Sequence, residues 1–319
     1  MLQIETHLAA IWHFQVLILY NIKKPIRDKT MKKTVLIMLA TSTLIPVSVN
    51  ASSQGSDAHH GQVSDHMISK QRNLLAKNTK GKGFGPQSPR NIDASAGNNK
   101  RAFNAAPSNA AMNLCNIHFH KNAEHKGGEF TKYAGNGDGH GYQSGYKYAG
   151  HLSSAELKPV HKEICPSKHG SLSAGDTIEV HYVHSSAQIK PGPTLGSCLS
   201  ESIKNPQLRV ETQVYVLVND DKALDFGKLT KHGKKKNFYQ AFNIPSNTGS
   251  PVQYAGSTTG PGYNEKGSPF QVSWSVRPKV AKVNIKTVGE WCKGNVFKED
   301  HAHGVRNLVT NPALLSKIK

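Results

Sequence analysis

The chain has 319 residues, a hydrophobic fraction of 37%, a formal net charge of +19 and 17 histidines. Its positive charges are scattered apart from one lysine cluster at residues 231–236, which has the pattern of a hairpin or loop tip. No basic stretch is interleaved with aromatic residues in the manner of single-strand nucleic-acid binders. The composition therefore excludes a nucleic-acid platform and predicts a solvated basic surface.

The N-terminal part has the features of an export signal. Residues 31–51 begin with Met-Lys-Lys, continue as an apolar run and end with small residues at Ala51. The run is too short, and too interrupted by Pro46, to cross a membrane, so we expect no stable membrane anchor. We predict a signal peptide at residues 31–51, an upstream mis-start at residues 1–30, and an exported protein that is periplasmic or secreted.

Two regions follow the predicted signal peptide. Residues 52–82 are rich in Ser, Lys, Asn, Gln and Gly and lack a sustained apolar period, which predicts a flexible polar lead-in. Within it, residues 67–75 could form a short helix. Residues 83–319 have the length of one domain.

Strand signals dominate this domain and are separated by Gly, Pro and Asn turns. They predict a mainly β (α+β) fold, with a large twisted, mostly antiparallel central sheet and a few short helices. The predicted strands are 113–120, 177–185, 208–218, 237–244, 270–276 and 281–288, and the helical patterns are 153–157 and 311–319.

Four cysteines in an exported chain predict two disulfides among Cys115, Cys165, Cys198 and Cys292. Three pairings are possible, and the sequence leaves the choice open. No Cys-x-x-Cys occurs. Because Cys115 lies an odd number of residues from His118, strand alternation predicts that it faces away from that imidazole.

Two predicted strands place histidines where strand alternation can bring them together. His118 and His120 share one face of the first strand, and Glu179 and His181 share one face of the second. If the two strands pair, three imidazoles converge. Three neutral nitrogens with one position left open form the ligand set of a catalytic zinc. One His-x-His carries little weight alone, since chance produces roughly one in such a chain and a second occurs at His301-Ala-His303.

The histidine strands resemble those of carbonic anhydrases, most of all the delta class, and the chain also shares motifs with the alpha class in the same order. The resemblance covers residues 85 to about 285. The similar segments are Gln87-Ser-Pro-Arg-Asn-Ile92, Asn116-Ile-His-Phe-His120, Glu124-His125, Ile178-Glu-Val-His-Tyr-Val-His184, Tyr254-Ala-Gly-Ser-Thr-Thr-Gly-Pro261 and Val272-Ser-Trp274.

The resemblance implies a carbonate dehydratase, a zinc lyase that reversibly hydrates carbon dioxide to bicarbonate by a zinc-bound hydroxide. Carbon dioxide and bicarbonate are then its small-molecule partners, and Zn²⁺ is its cofactor. The implied roles are His118, His120 and His181 as zinc ligands, Asn116 and Glu179 as residues that orient them, Thr259 and Glu124 as the catalytic pair that orients the hydroxide, and Val183, Val272 and Trp274 as the substrate pocket.

Two other functions compete with this one. The spacing His118-x-His120-x-x-x-Glu124 also fits a cupin metal site, although cupins have a glycine where Met112 stands. A non-enzymatic periplasmic zinc-binding protein is the other alternative, favoured if the histidines of the lead-in hold the metal. The alternatives differ in where the metal is bound and in whether carbon dioxide is hydrated. The oligomeric state is not indicated by any pattern in the sequence.

Overall fold

The structure is a computed structural model that describes residues 61–258 and 261–319. These residues belong to one compact unit. The predicted mis-start, the predicted signal peptide and the start of the lead-in lie outside the described residues. Within the described part, no helix is both long enough and apolar enough to cross a bilayer.

Strands form most of the regular structure. The strands are β1 Asn113–Lys121, β2 Lys132–Asn136, β3 Ser144–Lys147, β4 Ile164–Ser167, β5 Gly170–Leu172, β6 Thr177–Ser185, β7 Leu208–Val218, β8 His232–Lys235, β9 Phe238–Ala241, β10 Val252–Ser257 and β11 Gln271–Asn284. The helices are α1 Asp65–Thr79, α2 Phe226–Leu229 and α3 Ile285–Cys292, with 3₁₀ turns at Asn109–Ala111, Leu195–Cys198, Pro261–Tyr263 and Pro312–Leu314.

The central sheet has five strands in the order β1-β6-β7-β11-β10. Strands β7 and β11 run parallel, and the three other neighbouring pairs run antiparallel. Three two-stranded sheets, β2–β3, β4–β5 and β8–β9, accompany it in the described residues. The predicted fold class, mainly β with a mostly antiparallel central sheet, is confirmed.

The C-terminal strand prediction needs a correction. Residues 270–276 and 281–288 were predicted as two strands, but β11 runs through Pro278 and absorbs it in a register irregularity between Val276 and Val280. The chain then turns into α3, where the side chain of Asn284 accepts a hydrogen bond from the Lys286 N–H and caps the helix. Of the predicted helical patterns, 153–157 is a turn and 311–319 contains only one 3₁₀ turn.

Part of the predicted flexible lead-in is an ordered helix. Helix α1 begins after Ser64, whose side chain accepts a hydrogen bond from the Met67 N–H. Ile68 and Leu75 are buried on one side of the helix, and Leu75 packs in a small cluster with Leu314 and two other apolar residues near the C-terminus. Long-range packing that the local polar composition does not reveal therefore orders this segment. The domain boundary at residue 83 stays a prediction.

Alternation along β1 and β6 buries both faces of the central sheet. Ile117 and Tyr182 belong to one apolar cluster, and Val183 belongs to a second cluster on the opposite face. Since His181 lies two residues before Val183 on β6, its imidazole shares that second face. His118 is directly opposite His181 across the strand pair. The histidines therefore project from the face that carries the second cluster.

Both predicted disulfides form, and the structure supplies the pairing. Cys115 on β1 is bonded to Cys198, and Cys165 on β4 is bonded to Cys292 at the end of α3. The two bonds close loops with sequence separations of 83 and 127 residues. Each bond thus joins a strand to a segment that is distant in the chain.

The expectation that Cys115 faces away from His118 is wrong. Cys115 lies in the same apolar cluster as Val183, on the histidine face of the sheet. The cause is a register irregularity between Leu114 and Asn116, which shifts the alternation of side chains by one residue. Its sulfur is nevertheless bonded to another cysteine and does not serve as a metal ligand.

Removing the Cys165–Cys292 disulfide by a double serine substitution is expected to lower the free energy of unfolding by roughly 2–5 kcal/mol, because the bond restricts the unfolded chain over a long loop. Urea unfolding of the wild-type and variant proteins measures this difference. The same experiment on the reduced wild-type protein is the control. Equal unfolding midpoints for the oxidised wild type and the variant would contradict the expectation.

Candidate metal centre

Strand pairing brings three imidazoles together on one face of the sheet. His118 and His181 are a directly opposed pair across β1 and β6, and His120 follows two residues after His118. The ring centroids are 5.2 Å apart for His118 and His120, 5.0 Å for His118 and His181, and 4.8 Å for His120 and His181. One ring nitrogen of each lies within 4.8 Å of the other two. The three predicted ligands therefore form one cluster.

Each imidazole has one nitrogen engaged by a different acceptor outside the cluster. An amide, carbonyl or carboxylate oxygen can only accept, so the ring nitrogen must carry the proton, which fixes the tautomer of each ring. The three bonds are from His118 Nδ1 to Asn116 Oδ1 at 2.6 Å, from His120 Nδ1 to the Gly304 carbonyl oxygen at 2.7 Å, and from His181 Nε2 to Glu179 Oε1 at 2.6 Å.

The remaining nitrogens carry lone pairs that face one another. His118 Nε2 and His181 Nδ1 lie 3.2 Å apart, and His120 Nε2 is buried without a hydrogen-bond partner among the described residues. Two lone pairs at this separation repel each other unless a cation or a proton lies between them. Three neutral imidazole nitrogens that converge in this way fit a divalent zinc ion, with one coordination position left for another ligand. The donor set therefore suits the metal that the sequence predicts.

Burial favours the neutral form of His118 and His120. Burial, followed by the neighbouring His181, His120 and His303, holds the pKa of His118 well below its usual value. Burial also lowers the pKa of His120 to about 4, although Glu124 acts in the opposite direction. Neutral rings are the form that binds metal, so these two histidines can coordinate an ion at neutral pH without first losing a proton.

Glu179 holds two imidazoles at once. Its Oε1 accepts hydrogen bonds from His181 Nε2 at 2.6 Å and from His125 Nδ1 at 2.7 Å, and its Oε2 accepts one from the His125 backbone N–H at 3.1 Å. Burial raises the pKa of the Glu179 carboxyl, but His125 and His181 outweigh that effect and hold the pKa well below its usual value. A fixed carboxylate therefore orients His181 from behind.

A further chain of hydrogen bonds supports His125. Its Nε2 lies 2.6 Å from the Tyr254 hydroxyl, which lies 3.0 Å from Ser88 Oγ. Ser88 Oγ also accepts a hydrogen bond from the Ser257 N–H at 3.1 Å. By the spacing of their ligand atoms, His125, Glu179 and His181 also form a second group of potential metal ligands. Because the nitrogens on both sides of Glu179 donate to its carboxylate, this group is a hydrogen-bond network rather than a cation site.

The predicted catalytic Glu124 lies beside the cluster. Its Oε2 is 3.9 Å from both His120 Nε2 and His181 Nε2, and its Oε1 accepts a hydrogen bond from the Arg306 backbone N–H at 3.1 Å. Glu124 is almost completely buried. Thr259, its predicted catalytic partner, lies outside the described residues, so the pairing of these two side chains stays a prediction.

The predicted pocket residues lie on the histidine face of the sheet. Val183, Val272 and Trp274 are buried and belong to the same apolar cluster. The Trp274 ring centroid is 5.0 Å from that of His181. His120 and His181 are almost fully buried, whereas His118 is only partly buried, so solvent approaches the cluster from the side of His118.

Sequence reasoning missed two neighbours of the cluster. The Gly304 carbonyl orients His120, and the ring of His303 lies 5.9 Å from those of His118 and His120. His303 Nε2 is 2.7 Å from Glu299 Oε2. The second His-x-His motif, which contains His303, was the available signal. The sequence does not predict that His303 lies near the cluster. An isolated parallel β-bridge between His303 and His120, which are far apart in the chain, brings this segment to β1.

A mainly β chain whose central sheet gathers three histidines and a supporting carboxylate has the features of a metalloprotein. The profile of the family described as delta carbonic anhydrase matches residues 109–287, more than half of the chain. The chain therefore belongs to the delta carbonic anhydrase family, as the sequence resemblance predicts. No curated protein sequence matches the chain.

Several solved structures are similar to the chain at low identity. A hyperthermostable carbonic anhydrase identified from an active hydrothermal vent chimney is 16% identical over 75% of this chain and 90% of its own, with a TM-score of 0.25. The alpha carbonic anhydrase of Thermovibrio ammonificans, solved with the inhibitor sulfanilamide, is 18% identical over 79% and 97%, with a TM-score of 0.26. That of Photobacterium profundum is 16% identical over 77% and 95%, with a TM-score of 0.25.

Proposed function

We propose that the protein is a zinc-dependent carbonate dehydratase that interconverts carbon dioxide and bicarbonate. The observation that carries the proposal is the arrangement of His118, His120 and His181, whose free nitrogens converge while their other nitrogens are held by separate acceptors. Membership of the delta carbonic anhydrase family supplies the reaction. The cupin alternative loses its support, because the family match accounts for the same histidine spacing.

The three histidines would hold the ion, and their supporting groups would keep them in place. When bound, zinc lowers the pKa of a coordinated water toward neutrality, a property for which carbonic anhydrases are the standard example. Asn116, Gly304 and Glu179 fix the tautomers and orientations of the ligands, which raises their basicity and reduces the rearrangement that binding requires.

The remaining residues would position the reactants. By resemblance, Thr259 donates its hydroxyl proton to the Glu124 carboxylate and accepts a hydrogen bond from the nucleophile. By resemblance, Val183, Val272 and Trp274 would line the apolar pocket for uncharged carbon dioxide, and the Trp274 ring centroid lies 5.0 Å from that of His181.

Export to the periplasm or beyond belongs to the same proposal. The predicted signal peptide at residues 31–51 implies it, and the two disulfides support it because such bonds persist in oxidising compartments. Cleavage after Ala51 would leave a mature chain that starts at Ser52.

Metal analysis and stopped-flow carbon dioxide hydration by the purified mature protein test the function. We expect about one zinc ion per chain and hydration well above the uncatalysed rate. A variant that replaces His59, His60 and His66 in the lead-in addresses the non-enzymatic alternative. It should keep both zinc and activity. Loss of zinc in this variant would favour storage by the lead-in, and zinc without hydration would refute the enzyme.

A further inference from the structure

The β8–β9 hairpin carries a dense group of lysines that no other part of the function uses. Lys231, Lys234, Lys235 and Lys236 are exposed on it, and Lys228 is exposed on the adjoining α2. None of these five forms an ion pair with a carboxylate of the described residues. We call these lysines together with Phe242 the basic hairpin. Its charge is therefore directed at solvent and is not balanced by carboxylates of the surrounding fold.

An exposed aromatic ring accompanies these charges. Phe242 is 44% exposed, and its backbone N–H donates to the Lys231 carbonyl at the base of the hairpin. Its ring lies over Gly233, where an added β-carbon would be 2.9 Å from the Phe242 Cζ atom. The glycine thus leaves room for the ring on the hairpin that carries the lysines. Exposed basic and apolar side chains therefore belong to the same hairpin.

The tip of the hairpin holds a lysine in an unfavourable backbone conformation. Lys235 pairs with Phe238, which leaves Lys236 and Asn237 as a two-residue turn. Lys236 has a φ of 55°, in the left-handed region that such turns usually fill with glycine or asparagine. The turn between the two strands therefore carries an exposed lysine.

We propose that the basic hairpin docks the protein on an anionic phospholipid surface. Clustered lysines are attracted to such a surface, and each adds roughly a factor of five in affinity when it lies near it. An aromatic ring beside them can enter the headgroup region and supplies the apolar part of the interaction. The two together provide peripheral, reversible binding without a membrane-spanning segment.

A lipid surface fits these features better than a nucleic acid does. Single-strand binders stack successive bases on several aromatic rings along a basic groove. On the hairpin, the Tyr239 ring is covered by Lys234, whose Nζ lies 5.5 Å from the ring centroid, and Phe238 is partly buried. Phe242 is the exposed ring of this group. One exposed ring at the edge of a lysine cluster suits insertion into a headgroup layer.

Vesicle co-sedimentation tests the proposal. The mature protein should bind vesicles of phosphatidylglycerol and phosphatidylcholine, and should not bind vesicles of phosphatidylcholine alone. Replacing Lys234, Lys235 and Lys236 with glutamine should weaken binding roughly 100-fold, as the loss of three lysines near the surface predicts. Phe242→Ser should remove the part of the binding that persists at high salt.

A matched control separates the hairpin from overall charge. Replacing Lys77, Lys80 and Lys82 with glutamine removes the same number of exposed lysines from the end of α1 and its loop. Binding by this control should equal that of the wild type. Equal weakening by both triple variants would overturn the proposal, as would binding of the wild type to vesicles of phosphatidylcholine alone or failure to bind either vesicle. Competition by single-stranded DNA that Phe242→Ser leaves intact would assign the hairpin to nucleic acid instead.

Discussion

Replacing His181 with alanine is expected to abolish stable zinc binding and carbon dioxide hydration. His181 Nδ1 lies opposite His118 Nε2 at 3.2 Å, so the substitution removes one of the three converging nitrogens. A two-histidine site lacks the donors that hold zinc in catalytic centres. The loss of activity should exceed the roughly 100-fold effect that removal of a ligand's hydrogen-bond partner can cause. Stopped-flow hydration and metal analysis after dialysis measure the two effects.

The control must separate loss of metal from loss of fold. His161→Ala removes an exposed histidine and should leave zinc content and activity at the wild-type level. Comparing the unfolding temperatures of metal-free wild type and His181→Ala then measures how much of the effect comes from the broken bond to Glu179. Full zinc occupancy in a folded His181→Ala protein would refute the ligand assignment.

The sequence predicts the histidine strands because their residue types favour extended backbone and their alternation also suits burial in the sheet. Residues 177–185 and 208–218 are rich in β-branched and aromatic residues, and the structure has strands with these same bounds. The alternation of period two that places His118 and His120 on one face is a property of any strand. Pairing of β1 with β6 then follows the same pattern, since both strands bury an apolar face against a common core.

Features that depend on irregular backbone or distant segments are not predictable in this way. The bulge beside Cys115 reverses the expected direction of that side chain, and no local residue pattern announces it. The acceptor for His120 is the backbone carbonyl of Gly304. Every residue has a backbone carbonyl, so no residue type in the sequence marks this one as a partner of His120. The predicted strand 281–288 includes the first half of α3, because the apolar residues there also suit a buried extended segment. These features are fixed by tertiary packing.

The Glu179 carboxylate is predicted to have the largest effect among the residues that support the cluster. A glutamine at this position has one accepting oxygen and one NH₂ group, whereas Glu179 Oε1 accepts from both His125 Nδ1 and His181 Nε2. With the amide oxygen at the Oε1 position, both imidazoles keep a bond, but to a weaker neutral acceptor, and the NH₂ group meets the His125 backbone N–H, which now donates to Glu179 Oε2. The opposite orientation would place the NH₂ group against both imidazole N–H groups. We expect Glu179→Gln to weaken zinc binding by about 10- to 100-fold.

The same substitution should also destabilise the metal-free protein by roughly 1–3 kcal/mol, because a buried donor is left without an acceptor. Competition with a chelator measures zinc affinity, and urea unfolding of the metal-free protein measures stability. Glu211→Gln on the adjacent strand β7 is the matched control, since Glu211 contacts Arg209 at 3.6 Å and lies on the opposite face of the sheet. If both variants lower zinc affinity equally, the effect is one of charge. If Glu179→Gln alone lowers it, the buried carboxylate positions His181 for the metal.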